Sequence, residues 1–282
     1  MSVLEQASVT AAVPPTVGKK RRNSIRSGIV PVLCALTAGI GVWYAVTYLV
    51  LTDQRRFLLP PPDKVLKVGL LDPAHLEPKL EALALTTKVA LTGLGIAVVL
   101  GILTAIVMSQ ADFIERAIYP YAVIIQTVPI LAIVPLIGLW FQFGFTSRVI
   151  VCVIISLFPM ISNTLFGIHS ADRDAHDLFT LNKASRLQRL VLLQLPAAVP
   201  AIFTGLRNSA GLSVIGAVVG DMFFQQGDPG IGGLLDTYRS RLQSEDLIAA
   251  IFLASLLGVV IFAVFTALDR AVTTRWYGAS RT

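Results

Sequence analysis

The chain has 282 residues, of which 55% are hydrophobic and only 14% are charged. Soluble globular domains carry about 25% charged residues, so a water-soluble fold of this size could not cover its surface, and the composition places the chain in a lipid bilayer. The net charge of +6 does not indicate nucleic-acid binding, because the basic residues flank apolar segments instead of lining one soluble face. Membrane lipid is the predicted surrounding, and we expect no nucleic-acid partner.

Six apolar windows are long enough to cross a membrane, which takes roughly 20 helical residues. The first is too long, and lacks the small-residue cleavage site, to be a signal peptide, so we interpret it as a retained anchor. Cys34 and Cys152 fall inside windows and carry no information about the redox compartment. The sequence therefore predicts an all-α integral membrane protein with six transmembrane helices, at residues 29–51, 84–108, 117–141, 149–168, 195–222 and 247–268.

The first element in chain order is a tail, residues 1–28, whose basic block at residues 19–22 abuts the first window. Basic residues prefer the cytoplasmic side of a membrane, so the N-terminus is predicted inside. Six crossings return the C-terminal tail, residues 271–282, to the same side. In this topology fewer lysines and arginines lie outside than inside, and the outside set is Arg55, Arg56, Lys64, Lys67, Lys79, Arg148, Arg239 and Arg241.

An external segment follows the first span and completes an N-terminal unit, residues 29–82. Residues 60–62 are three prolines, typical of a short polyproline II stretch. Asp63 then stands where a helix N-cap would, before an apolar pattern. A short helix on the membrane face is predicted, and a plain linker is the alternative.

Residues 83–270 form the predicted core, in which small residues recur at every fourth position of two spans. Such stripes let helix backbones approach closely in lipid. Tight helix packing is the simplest interpretation of both stripes, which consist of Gly93, Ala97, Gly101 and Ala105 in the second span and of Gly205, Ser209, Ser213, Ala217 and Asp221 in the fifth.

The longest inside loop, residues 169–194, is polar and patterned as two short helices. Asp174 is the predicted N-cap of a helix at residues 175–182, and Ser185 with Gln188 forms a Ser-x-x-Gln capping box that starts a second helix running from Arg186 towards residue 195. The first helix is too short to be stable alone. Its apolar residues, Leu178, Phe179 and Leu181, need a partner surface, which is either the protein's own cytoplasmic end or another subunit.

Several polar residues within the spans are candidates for a translocation path. Arg207 is predicted near the bilayer middle, where a charge is costly and faces an interior or a cavity. It either lines the path or pairs with an acid or a carbonyl of a neighbouring helix. Asp221 is either a gate or a solvated helix end at the outside. The remaining candidates are Gln126, Asn163, Asn208, Ser209, Ser213 and Pro129, which with Pro135 is expected to kink the third span.

No motif for chemistry is present. The chain has no phosphate-binding G-x-x-x-x-G-K-[ST] sequence, its three histidines lack metal-ligand spacing, and no nucleophile motif is recognisable. A membrane-embedded enzyme is therefore disfavoured. An ion-driven secondary transporter would need buried acids along the spans, where only Asp221 and Glu115 come close.

The inside loop resembles that of permease subunits of bacterial binding-protein-dependent ABC importers. Asp177 stands at the acid of the family's Glu-Ala-Ala-x-x-x-Gly pattern, Lys183 at its glycine, Ala184-Ser185 follow, and Leu195-Pro196 match the Leu-Pro further on. The stretch "QTVPILAIVPLIGLWFQFG" at residues 126–144 is similar to the nitrate/sulfonate/taurine branch, as are "RFLLPPP" and "FTGLR". The resemblance covers about residues 57–269.

This resemblance implies a type I importer permease (MetI-like) fold in the bacterial plasma membrane, with no cofactor in this chain. ATP and Mg²⁺ would be bound by two ATPase subunits. A binding protein or lipoprotein would dock outside, on residues 57–80 and 223–246, and two identical permeases would pair. The implied ATPase-docking residues of the coupling helix are Asp174, Asp177, Leu178, Phe179, Lys183, Ala184, Ser185 and Arg186.

The substrate implied by the resemblance is a small anion or polar organic solute, of the nitrate, alkanesulfonate or taurine class. A thiamine-pyrimidine precursor or a riboflavin-like compound is the alternative. Two departures affect the docking helix: Leu178-Phe179 replaces two alanines, and Lys183 replaces a glycine that commonly adopts a left-handed conformation. A non-glycine residue there costs about 1 kcal/mol, so we expect the turn to take another shape.

Overall fold

The computed structural model describes residues 24–277 of the chain, with side-chain surroundings between residues 30 and 274. Every regular element in that range is helical, as expected in lipid, where a helix satisfies its own backbone hydrogen bonds. The α-helices in chain order are α1 Ser24–Ala45, α2 Pro62–Lys64, α3 Pro73–Met108, α4 Asp112–Thr127, α5 Ile130–Phe141, α6 Phe145–His169, α7 Arg173–Leu181, α8 Arg186–Arg189, α9 Leu195–Phe223, α10 Ile231–Ser240 and α11 Ser244–Tyr277.

Among the described residues, five helical runs are long and apolar enough to cross a membrane: Val30–Val50, Pro73–Met108, Phe145–His169, Arg186–Phe223 and Ser244–Thr274. Each contains or overlaps one of the predicted windows. The predicted basic block at residues 19–22 and the end of the C-terminal tail lie outside the described residues.

The external segment is helical, as predicted, but its caps differ from the prediction. α2 begins at Pro62 without a side-chain cap, and the Asp63 carboxylate instead accepts a hydrogen bond from the Tyr44 hydroxyl at 2.9 Å. A π-helical turn, Val65–Leu70, follows α2. The N-cap of the next helix, α3, is Asp72, which accepts a hydrogen bond from the backbone N–H of Ala74 at 3.0 Å. α3 therefore begins eleven residues before the predicted window.

The third predicted span is a bent pair, because α4 and α5 meet at 97°. The break falls at Val128, whose backbone is extended (φ −67°, ψ 128°), since a residue before proline avoids the α region. Pro129 is the N-cap of α5, whereas Pro135 lies inside α5 without ending it. The kink was predicted, but a right-angled turn was not.

The fifth span begins at Leu195, as predicted. α8, a π-helical turn at Leu190–Gln194 and α9 form one run from Arg186 to Phe223. The π-helical turn comes directly before Leu195-Pro196, and such widened turns commonly accommodate an interruption of the α-helical hydrogen-bond ladder. The second short helix of the inside loop is therefore continuous with the fifth predicted span.

The core is built on close contact between α3, α6 and α9, and the small-residue stripes make that contact. A side chain at Gly93 would collide with Cys152, and one at Gly101 with Met160. Gly205 packs against the backbone of Pro159, in the middle of α6. All four predicted small residues of α3 are buried, as are the four of α9 and Asp221 after them. The packing interpretation of the stripes is confirmed.

The helix termini gather at two ends of the bundle. The first residues of α3, α6 and α11 and the last residues of α9 lie together with α10, and we call this side the α10 end. The opposite side carries residues 169–194 and is called the α7 end; there Met108, Ile168 and Ala198 share one apolar cluster. Because α3 ends at the α7 end and α6 begins at the α10 end, the bent pair carries the chain between the two.

Candidate functional site

The segment at the α7 end folds as two short helices, close to the prediction. α7 covers Arg173–Leu181, and its N-cap is Asp172, not Asp174, because the Asp172 carboxylate accepts from the backbone N–H of Asp174. The predicted capping box is confirmed: the N–H of Gln188 donates to the Ser185 hydroxyl at 3.2 Å, and the Gln188 side chain accepts from the N–H of Ser185 at 2.8 Å.

Lys183 ends α7 in the left-handed conformation, with φ 53°. The N–H of Ala184 donates to the carbonyl of Phe179 and the N–H of Lys183 to that of Thr180, at 2.9 and 3.0 Å. These two bonds are the Schellman pattern that a C-terminal glycine usually makes. The expectation of a differently shaped turn is therefore wrong: lysine keeps the shape and bears its strain.

The apolar face of α7 is open. The side chain of Leu178 is 58% exposed and that of Leu181 is 81% exposed, whereas Phe179 is half-buried. Leu178 and Phe179 line a shallow groove of about 290 Å³ whose other walls are Asn182, Ala184, Gln188 and Leu192. Asp174, Asp177, Ser185 and Arg186 are exposed around it. The predicted docking residues thus share one surface that residues 30–274 leave uncovered.

The predicted path residues do not form one cluster. Gln126 and Pro129 are exposed at the α4–α5 bend, and Asn208 is exposed on α9. Asn163 is half-buried and donates to the carbonyl of Pro159 at 2.8 Å. Ser209 and Ser213 are fully buried in helix contacts, and Ser209 donates to the Ser156 carbonyl at 2.8 Å. In this conformation the two serines have no access to an open path.

Arg207 is paired with an acid of a neighbouring helix. Its guanidinium lies 3.6 Å from the Asp269 carboxylate of α11 and 5.8 Å from the centre of the Phe262 ring. Ion pairing with a neighbour was one of the two alternatives. Asp269 lies just beyond the last predicted window, which is why the sequence did not single it out.

Asp221 is a buried member of an ion pair, and the interpretation of a solvated helix end is wrong. Its carboxylate lies 3.3 Å from the Arg148 guanidinium and accepts from the Thr86 hydroxyl at 2.6 Å. The Thr86 hydroxyl in turn accepts from the N–H of Ile231 at 2.8 Å. Arg148, counted above as an outside loop charge, is 2% exposed. It also donates to the carbonyls of Phe224, Gln226 and Asp228.

The glycines after α9 serve this packing. A side chain at Gly230 would fall on the Asp221 carboxylate, and one at Gly232 on the carbonyl of Val218. Gly227 has a φ of 81°, which favours glycine. These glycines therefore serve a turn and close helix contacts.

A second buried ion pair at the α10 end was not predicted. The Lys79 ammonium donates to the Asp246 carboxylate and to the carbonyls of His75 and Gly69, at 2.7, 2.7 and 3.1 Å. These contacts use all three of its donors and tie the external segment to α3 and α11. Only the opposite charges at the edges of separate windows hint at it in the sequence. Burial beside Asp246 raises the pKa of the nearby Tyr238 hydroxyl, so that it stays neutral.

An open groove of about 750 Å³ runs between α9 and α11. It extends from Asn208 to Val219 on α9 and from Ala254 to Phe262 on α11. Its walls are apolar apart from Asn208 and Ser255, both neutral. Because the two helices are antiparallel, Asn208 and Phe262 lie at the same end of the groove, and Arg207 and Asp269 follow beyond it.

Comparison with known proteins agrees with this geometry. Residues 97–274 match the family described as "Binding-protein-dependent transport system inner membrane component". The formylaminopyrimidine transport permease protein ThiX of Halalkalibacterium halodurans is 35% identical over 184 residues, 65% of this chain and 73% of that protein. The nitrate import permease protein NrtB of Synechococcus elongatus is 27% identical over 96% of this chain and 97% of its own length.

A solved structure shares the fold. A chain from the crystal structure of an amino acid ABC transporter with histidines superposes with a TM-score of 0.59 at 20% identity, over 73% of this chain and 98% of that one.

Proposed function

This chain belongs to the family of binding-protein-dependent transport system inner membrane components, whose members are non-catalytic permease subunits of ABC importers, and we propose that it couples solute passage to ATP hydrolysis in two separate ATPase subunits through α7. The observation that carries the proposal is the exposed apolar face of α7, because a nine-residue helix needs a partner surface. Burying a leucine stabilises a complex by about 1.5–3 kcal/mol, so Leu178 and Leu181 are the expected anchors of this contact.

Continuity between the docking segment and a span supports the coupling role. Arg186 to Phe223 is one helical run, and a turn at residues 182–185 separates it from α7, so a push on α7 reaches α9 through this turn and α8. α9 contacts α3, α6 and α11. A displacement at the α7 end is therefore passed to the whole bundle.

The proposed topology has six crossings, with the α7 end and both termini in the cytoplasm. The bent pair supports the sixth crossing, since it carries the chain from one end of the bundle to the other. The basic block at residues 19–22 supports the orientation. The binding protein would then dock at the α10 end, on residues 57–80 and 223–246.

The path is proposed to lie along the exposed side of α9, beside Asn208 and the groove shared with α11, with Gln126, Pro129, Asn163 and Arg207 as further candidates. Six helices are few for enclosing a regulated path, and a second copy of this chain would complete it. Ser209, Ser213 and Asp221 serve this path as packing residues.

A small anion or polar organic solute of the nitrate, alkanesulfonate or taurine class is the proposed substrate. A pyrimidine precursor or riboflavin-like compound is the second candidate, favoured by the 35% identity to ThiX. Screening the cognate binding protein against nitrate, taurine and a formylaminopyrimidine separates the two, because that subunit usually sets selectivity.

Co-purification tests the coupling role. The wild-type permease is expected to retain its ATPase, and replacing Leu178 and Leu181 with Asp is expected to abolish that retention, because two charges would stand on the apolar face of α7. Leu242→Asp is the matched control: this residue is 62% exposed but lies at the α10 end. Full ATPase retention by the double variant would refute the docking role of α7.

A further inference from the structure

The two arginines of the spans α6 and α9 have contrasting surroundings. Arg148 is buried, and its guanidinium donates to three backbone carbonyls besides pairing with Asp221. Within residues 30–274, the Arg207 side chain has an ion pair at 3.6 Å and no hydrogen bond, and its Nε is buried without an acceptor. A buried donor without a partner costs about 1–3 kcal/mol, so Arg207 lacks an acceptor that Arg148 possesses.

Arg207 stands at one end of the α9–α11 groove. It precedes Asn208, the first groove residue of α9, and its guanidinium lies against Phe262, the last groove residue of α11. The side chain of Arg207 is 30% exposed, so its terminal nitrogens are accessible to a solute. Arg207 and Asp221 are 14 residues apart on one helix, about 21 Å at 1.5 Å per residue. The open arginine is therefore well separated from the sealed α10 end.

Asp269 has the features of a displaceable counter-ion. At 3.6 Å it neutralises the guanidinium without making a hydrogen bond to it. Asp269 also accepts from the Thr273 hydroxyl of its own helix at 3.1 Å, so it keeps a partner if Arg207 turns away. A guanidinium binds planar or tetrahedral oxyanions through two parallel hydrogen bonds, which are stronger than neutral ones.

We propose that Arg207 is an oxyanion-binding residue at the α7-side end of the α9–α11 groove. Asp269 pairs with the Arg207 guanidinium until a sulfonate- or nitrate-type group takes the place of the Asp269 carboxylate. This inference rests on the proposed function only in that the groove belongs to a solute path. Arg207 then adds to the specificity set by the binding protein, because it favours a solute with a negatively charged oxygen group over an uncharged one.

The test measures ligand-dependent thermal unfolding of the full chain, purified in detergent, with methanesulfonate replacing chloride at constant ionic strength. Wild type should show a saturable stabilisation by methanesulfonate that uracil, an uncharged ring, does not reproduce. Asp269→Asn should lower the apparent dissociation constant for methanesulfonate on the order of tenfold, because the competing charge is gone. Arg207→Gln should abolish the stabilisation.

Arg270→Gln is the matched control, since Arg270 is exposed beside Asp269 and has the same charge; it should behave as wild type. Arg207→Lys covers the case in which Arg207→Gln does not fold. It should weaken methanesulfonate binding, because an ammonium lacks the two parallel N–H donors of a guanidinium. The proposal is overturned if methanesulfonate stabilises Arg207→Gln as it does wild type, if wild type shows no saturable effect, or if uracil alone gives the Arg207-dependent effect. None of these results involves the ATPase, so failure here leaves the coupling test intact.

Discussion

Lys183 shows how one residue departs from its family pattern without changing the local fold. Its φ of 53° lies in the left-handed region, and both Schellman hydrogen bonds form. The strain is about 1 kcal/mol, and the Lys183 side chain is exposed.

Lys183→Gly is expected to stabilise the end of α7. Relief of about 1 kcal/mol corresponds to a roughly fivefold smaller population of the locally open state, and hydrogen exchange of the amides of Asn182 and Ala184 measures it. Lys183→Ala is the control, because it removes the charge but keeps the strain. Equal protection in the two variants would show that the lysine charge, not its backbone, matters.

The two buried ion pairs of the α10 end could not be predicted from the sequence. Lys79 and Arg148 read as loop charges because they stand at the edges of apolar windows. Their partners, Asp246 and Asp221, are 167 and 73 positions away, and composition carries no information about such distances. The capping box at Ser185, by contrast, was predictable because its hydrogen bonds span three residues.

At the scale of elements, the Asp221 pair joins three helices, since Arg148 lies on α6, Asp221 on α9 and Thr86 on α3. Asp221→Asn keeps the side-chain shape but leaves Arg148 as an uncompensated buried charge. Breaking a buried pair in this way costs about 3–5 kcal/mol, so the unfolding temperature in detergent should fall clearly.

The control for this experiment is Asp236→Asn. Asp236 pairs with Arg239 on the surface of α10, where an exposed pair contributes about 0–1 kcal/mol. Similar unfolding temperatures for Asp221→Asn and wild type would mean that the α10 end is not held by this network.

Element boundaries follow the same division between local and long-range causes. The apolar windows predicted the existence and order of the spans, because hydrophobic length is a local property. The break at Val128 and the start of α3 also have local causes, Pro129 and the Asp72 cap, but the 97° angle between α4 and α5 depends on what they pack against. The helix predicted from Arg186 continues into α9 through a π-helical turn that no residue pattern predicts.

At the scale of the whole molecule, the two ends differ in how they are held. The α10 end is closed by two buried ion pairs, Lys79–Asp246 and Arg148–Asp221. The α7 end presents open apolar side chains and the loosely held Arg207–Asp269 pair. This difference fits the proposal that the α7 end contacts a separate ATPase subunit, while buried ion pairs hold the α10 end together.

Side-specific labelling tests that account most directly. Single cysteines at Leu181 on α7 and at Leu242 by α10 are introduced into a chain with Cys34→Ser and Cys152→Ala, since Cys34 is exposed. A membrane-impermeant maleimide is then added to sealed right-side-out vesicles and to lysed ones. We predict that Leu242→Cys reacts in both and that Leu181→Cys reacts only after lysis; labelling of Leu181→Cys in sealed vesicles would contradict a cytoplasmic coupling helix.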